Sequence, residues 1–351
     1  MPKKIPVAVL AATGSVGQRF IQLLDQHPLF EVVALTASDR TTGQKYGQAC
    51  HWILPGEIPA WAAEIVLLPC EPRSAAVPLA FSALPADAAR EIEPAFARAG
   101  TMVCSNASTY RGEPDVPILL PEVNPEQVEI LHSQRRTHGW TGGIVTNSNC
   151  TSTGMTVALK ALQDAFGLRR VFAVSMQALS GAGYPGVSAL DIVDNVIPWI
   201  KGEEEKVEWE PRKMLGTVRG DKIGLADFQI SAHTNRVAVV DGHMVCLSIE
   251  LDNKASPAEA ARVLAAYQAP EPARGLFSAP RPVILVRNEA DRPQPRLDRM
   301  TGNGMTTVVG RVRPDALFDL KMVVFSHNTI RGAAGGSIYN AELLARLNYI
   351  S

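Results

Sequence analysis

Ile5-Pro6-Val7-Ala8-Val9-Leu10-Ala11 runs directly into Ala12-Thr13-Gly14-Ser15-Val16-Gly17 near the start of the chain. The apolar run reads as a short buried parallel strand. Phe20, Ile21, Leu23 and Leu24 then follow a helical pattern. Strand, glycine turn and helix in this order are the context that a dinucleotide fingerprint requires, because the turn lets backbone N–H groups approach a pyrophosphate at the helix amino terminus. Only Gly14 and Gly17 of the fingerprint are present, and its start falls on alanine, at Ala11 or Ala12. Such turns also occur without a ligand, so the motif alone leaves both readings open.

Outward from this unit, Glu31 to Thr36 reads as the second strand, followed by Ser38, Asp39, Arg40 and Thr41. An acidic residue ending this strand holds the ribose 2′-hydroxyl in NAD enzymes. Here a cation among hydroxyls suits a 2′-phosphate and predicts NADP, against the alternative of an exposed polar loop. Glu64 to Leu68 and Leu79 to Leu84 read as further strands, with Ser82 closing one beside the cofactor. Asp87 to Ala99 reads as a helix and Thr101 to Cys104 as the next strand. Strand ends of open α/β sheets face the ligand crevice, so Arg111 is a candidate anion contact or else a solvated surface charge.

The second informative stretch is Asn147-Ser148-Asn149-Cys150-Thr151-Ser152-Thr153-Gly154-Met155. Ile144 and Val145 precede it, and Met155, Leu159, Leu162 and Phe166 follow at helical spacing. Cys150 therefore falls where a strand or loop gives way to a helix. Unpaired amides of a helix's first turn stabilise negative charge, so the thiol is expected to ionise more easily there and act as a nucleophile. The alternative is a small buried hydrophobe.

Strand-helix alternation weakens afterwards. Arg170 to Ala178 is strand-like and ends in a glycine-rich loop through Gly186. Lys201 to Lys213 is charged and reads mostly as a solvated helical face, with Glu210 and Lys213 on one side. Asn235 to His243 reads as one strand ending in a turn. Arg236 and His243 would lie on opposite faces of a straight strand, so both reach one pocket only if Asp241-Gly242 bulges or turns. Late strands at Thr306 to Val312 and Leu317 to Phe325 precede a terminal helix.

Length of 351 residues allows two domains, and 46% hydrophobic with 20% charged residues describes a globular protein. A net charge of −1 argues against nucleic-acid or membrane-surface binding driven by bulk charge. The start at Met1-Pro2-Lys3-Lys4 lacks the features of a secretory signal, and no apolar stretch approaches membrane-spanning length. Five scattered cysteines fit neither a disulfide framework nor a metal site, and point to a reducing cytoplasm.

Taken together, Ala12 to Gly17, Ser105 to Ser108, Ser148 to Thr151, Gln177 to Gly183, Asn235 to Val237 with Gly242-His243, and Asn328-Thr329 with Arg331 to Gly336 resemble the aspartate-β-semialdehyde dehydrogenase family, most closely its archaeal and fungal branch. The resemblance covers nearly the whole chain. It implies an α/β fold: a Rossmann-type NADP-binding domain (1–149 and 328–351) plus an α+β catalytic and oligomerisation domain of the glyceraldehyde-3-phosphate-dehydrogenase-like kind (150–327). Cys150 would be the nucleophile and His243 the general acid/base. Arg236 would grip the substrate α-carboxylate and Glu210 its amino group. Lys213 and Arg111 would take phosphate, while Asn149 and Gln177 position the substrate. Thr13, Gly14, Ser15, Val16, Ser38, Arg40, Ser82, Ser180, Gly181 and Asn328 would line the NADP site. The implied reaction is NADPH-dependent reductive dephosphorylation of L-aspartyl 4-phosphate, in the pathway to lysine, threonine, methionine and isoleucine, by a homodimer or homotetramer. The rivals are a malonyl-CoA or succinyl-CoA reductase of the same fold, whose resembling branch lacks Ser-Asn before the cysteine, and a non-catalytic NADP-binding protein.

Overall fold

The computed structural model describes residues 3–350. Met1 and Pro2, part of the start read as lacking a secretory signal, and Ser351 of the terminal segment lie outside the described residues. Strands β1 (Ile5–Leu10), β2 (Phe30–Ala37), β3 (Leu68–Pro69), β4 (Leu79–Ser82), β5 (Met102–Ser105) and β6 (Gly143–Thr146) form one parallel sheet in the order β3-β2-β1-β4-β5-β6. This is a doubly wound sheet whose order reverses between β1 and β4, where such folds bind ligands. Val7 to Leu10 are wholly buried, as a central parallel strand requires. The expected strand at Glu64 to Leu68 shrinks to the two residues of β3.

Helix α1 (Ser15–Leu24) follows β1 after a tight turn. Ala11 adopts a left-handed φ of 57°, which costs an L-residue roughly 1 kcal/mol. Gly17 has no such latitude: a Cβ there would lie 2.5 Å from the Ala12 carbonyl oxygen. The turn therefore tolerates alanine at its first position and demands glycine at its last. Helix α2 (Ala86–Arg98) carries Glu93 under β4 and β5, and α3 (Ile130–His138) precedes β6.

The second sheet is mixed. It contains β7 (Leu168–Gln177), β10 (Gln229–Arg236), β11 (His243–Leu251), β12 (Ile284–Arg287), β13 (Thr307–Pro314) and β14 (Leu320–Ser326), ordered β10-β7-β11-β14-β13-β12. A small hairpin, β8 (Thr217–Arg219) with β9 (Lys222–Gly224), stands apart. Helices α4 (Cys150–Phe166) and α6 (Pro257–Ala266) pack on this sheet, and α5 (Glu203–Met214) packs on β10 and α4. The terminal helix α7 (Gly335–Arg346) returns to β4 and β5 of the first sheet. Its approach is held by a buried Arg331–Glu122 pair, with Nε 3.0 Å from Oε1, and by Asn147, which donates to the Ala333 carbonyl and accepts from Asn340.

Asn235 to His243 does not form the single strand expected. β10 ends at Arg236 and β11 begins at His243, because the two flank β7 instead of pairing with each other. The chain must cross the end of β7, and it does so through Gly242 at φ 102° with the Phe325 ring where a Cβ would sit.

Glu93 is fully buried and accepts hydrogen bonds from Ser82 (2.6 Å) and Ser105 (2.7 Å). Burial pushes its carboxyl up to about 7, with the two hydroxyls opposing. A folded value above the unfolded 4.5 gives stability that is present below pH 4.5 and lost as pH rises through 7. Between those limits wild type should lose about 3 kcal/mol that Glu93→Gln does not. Urea midpoints of both proteins across this range measure it, and parallel curves would refute it.

Candidate active site

Asn149 links β6 to α4 and caps the helix, its Oδ1 accepting from the amides of Thr151 (2.9 Å) and Ser152 (3.2 Å). This side-chain cap satisfies two otherwise unpaired donors and sets Cys150 as the first helical residue. Cys150 lies 3.1 Å from His243 Nε2 through its Sγ. The Ala178 amide donates to His243 Nδ1 at 3.0 Å, so the neutral ring carries its proton on Nε2, toward the sulfur.

The thiol is not held as an anion here. Burial pushes Cys150 up to about 12, reinforced by Glu203 and only partly offset by Arg111 and Arg236. Burial and then Arg236 drive His243 down to about 3. The expected easy ionisation is therefore reversed: desolvation outweighs the helix amides, and the pair is thiol and neutral imidazole.

A cavity of about 380 Å³ opens over Cys150. Ser15 and Val16 from the start of α1 line it, with Arg111, Asn149, Ser180, Gly181 and Asn328. No side chain caps the α1 amino terminus, which leaves its first amides open to a phosphate. Thr13 and Gly14 form the turn just before it. Asn328 is buried and donates to Ser180 Oγ (2.8 Å) while accepting from the Gly242 amide (2.8 Å). Ser38 and Arg40 are exposed on the loop after β2, outside this cavity. Ser82 is not available to a ligand through its hydroxyl, which is turned inward to Glu93.

Arg236 and His243 converge despite their odd spacing. A Cβ on Gly181 would stand 3.0 Å from Arg236 Nη1 and 3.1 Å from His243 Cε1. Arg236 also donates to the Ala178 carbonyl at 2.6 Å. Gly181→Ala is thus expected to push this pair off position and cut kcat about 10²-fold, with Tm nearly unchanged because the loop is at the surface. Parallel kinetics and thermal melts test this; wild-type kcat would show that the pair can give way.

Two expected ligand contacts are elsewhere. Glu210 is fully buried, its carboxylate taken by Arg111 Nη1 (3.0 Å) and the Asn149 amide (2.5 Å). Lys213 is buried and donates to the carbonyls of Arg111 (2.7 Å), Glu113 (2.5 Å) and Val116 (2.8 Å). Burial lowers Lys213 to about 8. Glu203 and Lys206, at the same spacing two turns earlier, line the cavity instead. Glu203 accepts from Asn149 (2.7 Å), Lys206 (2.9 Å) and Gln177 (3.3 Å). Burial opposes its ionisation, but Lys206 and these amides outweigh burial and hold it below the ordinary carboxylate value. A signal for this was present: Val207 and Met214 mark one stripe of α5, and Glu203 and Glu210 each stand four residues before one of them. The segment is therefore no solvated face, since that stripe is buried. Asn106, also unanticipated, lines the cavity and accepts Arg111 Nη2 on its carbonyl at 3.0 Å.

A larger hollow of about 630 Å³, against Phe172 and Trp209, contains none of these groups. Among the described residues no grouping of three or more His, Cys, Asp or Glu side chains could hold a metal ion, and no helix is long and apolar enough to cross a membrane.

Residues 6–131 match the semialdehyde dehydrogenase NAD binding domain, and residues 159–331 the semialdehyde dehydrogenase dimerisation domain. The chain is 52% identical to aspartate-semialdehyde dehydrogenase of Archaeoglobus fulgidus, over 97% of this chain and 98% of that one. It is 46% identical to the Schizosaccharomyces pombe enzyme of the same name, at 97% and 98% coverage. The crystal structure of aspartate semialdehyde dehydrogenase with NADP from Candida albicans superposes with a TM-score of 0.91 at 42% identity, covering 99% of this chain and 100% of that one. A Rossmann-type sheet, a second mixed sheet and a cysteine–histidine pair at their junction agree with these likenesses, and the chain belongs to the aspartate-semialdehyde dehydrogenase family.

Proposed function

We propose that this site catalyses the reversible, NADPH-dependent reductive dephosphorylation of L-aspartyl 4-phosphate to L-aspartate 4-semialdehyde, in the aspartate pathway to lysine, threonine, methionine and isoleucine. The observation that carries this reading is the 3.1 Å contact between Cys150 Sγ and His243 Nε2, with Cys150 opening onto the cavity that the α1 amino terminus also lines.

Cys150 Sγ attacks the acyl carbon while its thiol proton passes to the departing phosphate, and the carbonyl re-forms as a thioester on the cysteine. Bound NADPH supplies the hydride. His243 donates its Nε2 proton to the oxygen that becomes negative, and the proton returns as the C–S bond breaks and the semialdehyde departs, the freed thiolate then taking a proton from water. A general acid so placed contributes about 10²–10⁴-fold. Arg236 suits the α-carboxylate through its planar fork. Glu203 takes the substrate amino group in place of Glu210, and Lys206 with Arg111 takes the phosphate in place of Lys213. Asn149 and Gln177 hold Glu203 and orient the acyl group. Thr13 to Val16, Ser180, Gly181 and Asn328 seat NADP, with Ser38 and Arg40 toward its 2′-phosphate.

In this reading residues 1–149 with 328–351 form the nucleotide domain and residues 150–327 the catalytic one. The protein works as a cytoplasmic homodimer or homotetramer. The test is the initial rate of phosphate-dependent NADPH formation from L-aspartate 4-semialdehyde, beside NADPH oxidation with malonyl-CoA. Turnover of the semialdehyde is expected; turnover of the CoA ester alone would overturn the assignment.

A further inference from the structure

A second cavity, of about 400 Å³, adjoins the catalytic one. The two share Ser15, Ser180, Gly183 and Thr329, but this one excludes Cys150. It lies between α1 with residues 53–55 on one side and the 179–187 loop with Val240-Asp241 on the other. Ile53, Pro55, Leu179, Tyr184, Val187 and Val240 make its walls largely apolar.

Two charges interrupt those walls. Arg19, one turn along α1 from Ser15, is 92% buried, being 8% exposed. Its Nη1 donates to Gln22 Oε1 at 2.7 Å, while its Nε is buried with no partner. Asp241 faces the same cavity and acts on Arg19 through charge, yet no ion pair joins them. Nε is sealed from the cavity, so a ligand reaches only the outer amines, of which Nη2 has no partner among the described residues, and a guanidinium so buried is costly unless something completes it. A carboxylate ligand would satisfy Arg19 and repel Asp241; an amine would do the opposite. A zwitterion with an apolar tail satisfies both charges and the walls.

We propose that this cavity binds a free α-amino acid with an apolar side chain, its carboxylate on Arg19, its ammonium on Asp241 and its side chain among the apolar walls. The volume is that of a small-molecule site. Bound there, the ligand ties α1 to the 179–187 loop, both of which also reach the catalytic cavity.

The test is isothermal titration calorimetry of the full chain with L-leucine and L-isoleucine, with and without saturating NADP. Saturable heat is expected in both conditions. Arg19→Gln and Asp241→Asn, placed on opposite walls so that one misfolded variant does not decide the matter, should each weaken binding roughly tenfold or more. The decarboxylated and deaminated analogues should bind wild type no better than the amino acids bind the variants. Absence of saturable heat, heat unchanged in both variants, or heat removed entirely by NADP would each overturn the proposal. Heat is read without turnover, so this result stands apart from the assay of the proposed reaction.

Discussion

Cys150→Ala is expected to lower phosphate-dependent NADPH formation by on the order of 10⁴-fold or more, with Tm and NADP binding close to wild type. Cys150 opens the first turn of α4, contacts His243 through its sulfur and lines the cavity. Removing it takes away the atom that forms the thioester and little packing. A non-catalytic nucleotide-binding protein predicts no turnover to lose, so wild type and variant would then coincide. The same thiol gives a pH signature. Burial pushes it up to about 12 and the paired imidazole down to about 3, so in the free enzyme both stay neutral across the physiological range. Alkylation by iodoacetamide should therefore be slow at neutral pH and climb steadily above pH 9, since only the thiolate reacts. A rate already on a plateau near pH 7 would show a thiolate–imidazolium pair instead.

Glu210→Ala and Glu203→Ala should fail in opposite ways. The first leaves the Arg111 guanidinium buried without its carboxylate and the Asn149 amide without an acceptor. Breaking a buried pair from one side costs about 3–5 kcal/mol, and urea midpoints should fall accordingly. Glu203 lines the cavity and forms its ion pair with Lys206, which is itself partly solvated. Its loss should cost less stability and raise KM for L-aspartate 4-semialdehyde roughly tenfold to a hundredfold, the worth of a charged hydrogen bond. A Glu210→Ala protein of normal stability and raised KM would restore Glu210 as the substrate contact.

The difference between these two glutamates marks how far the chain could be read without its fold. Both begin an E-x-x-K on α5, and both occupy its buried stripe. The distinction arises from what the helix lies against. Near its start it borders the cavity, while near its end it packs under Arg111 and the carbonyls of residues 111–116. Ser82 shows the same gap: its position at a strand end was legible, but the direction of its hydroxyl was set by Glu93 on α2.

By itself the sequence determined whatever depends on local spacing. The strand–turn–helix at Ile5 to Leu24, the cysteine at a helix start and the late pairing of Gly242 with His243 are of this kind, since backbone sterics and apolar periodicity act over a few residues. Only the tertiary structure decided the ionisation of Cys150, the tautomer of His243, and which carboxylate meets the cavity. Those depend on desolvation and on partners such as Ala178, Arg236 and Glu203, brought together from distant parts of the chain. Electrostatic energy varies with burial and distance through space, and neither quantity is written along the chain.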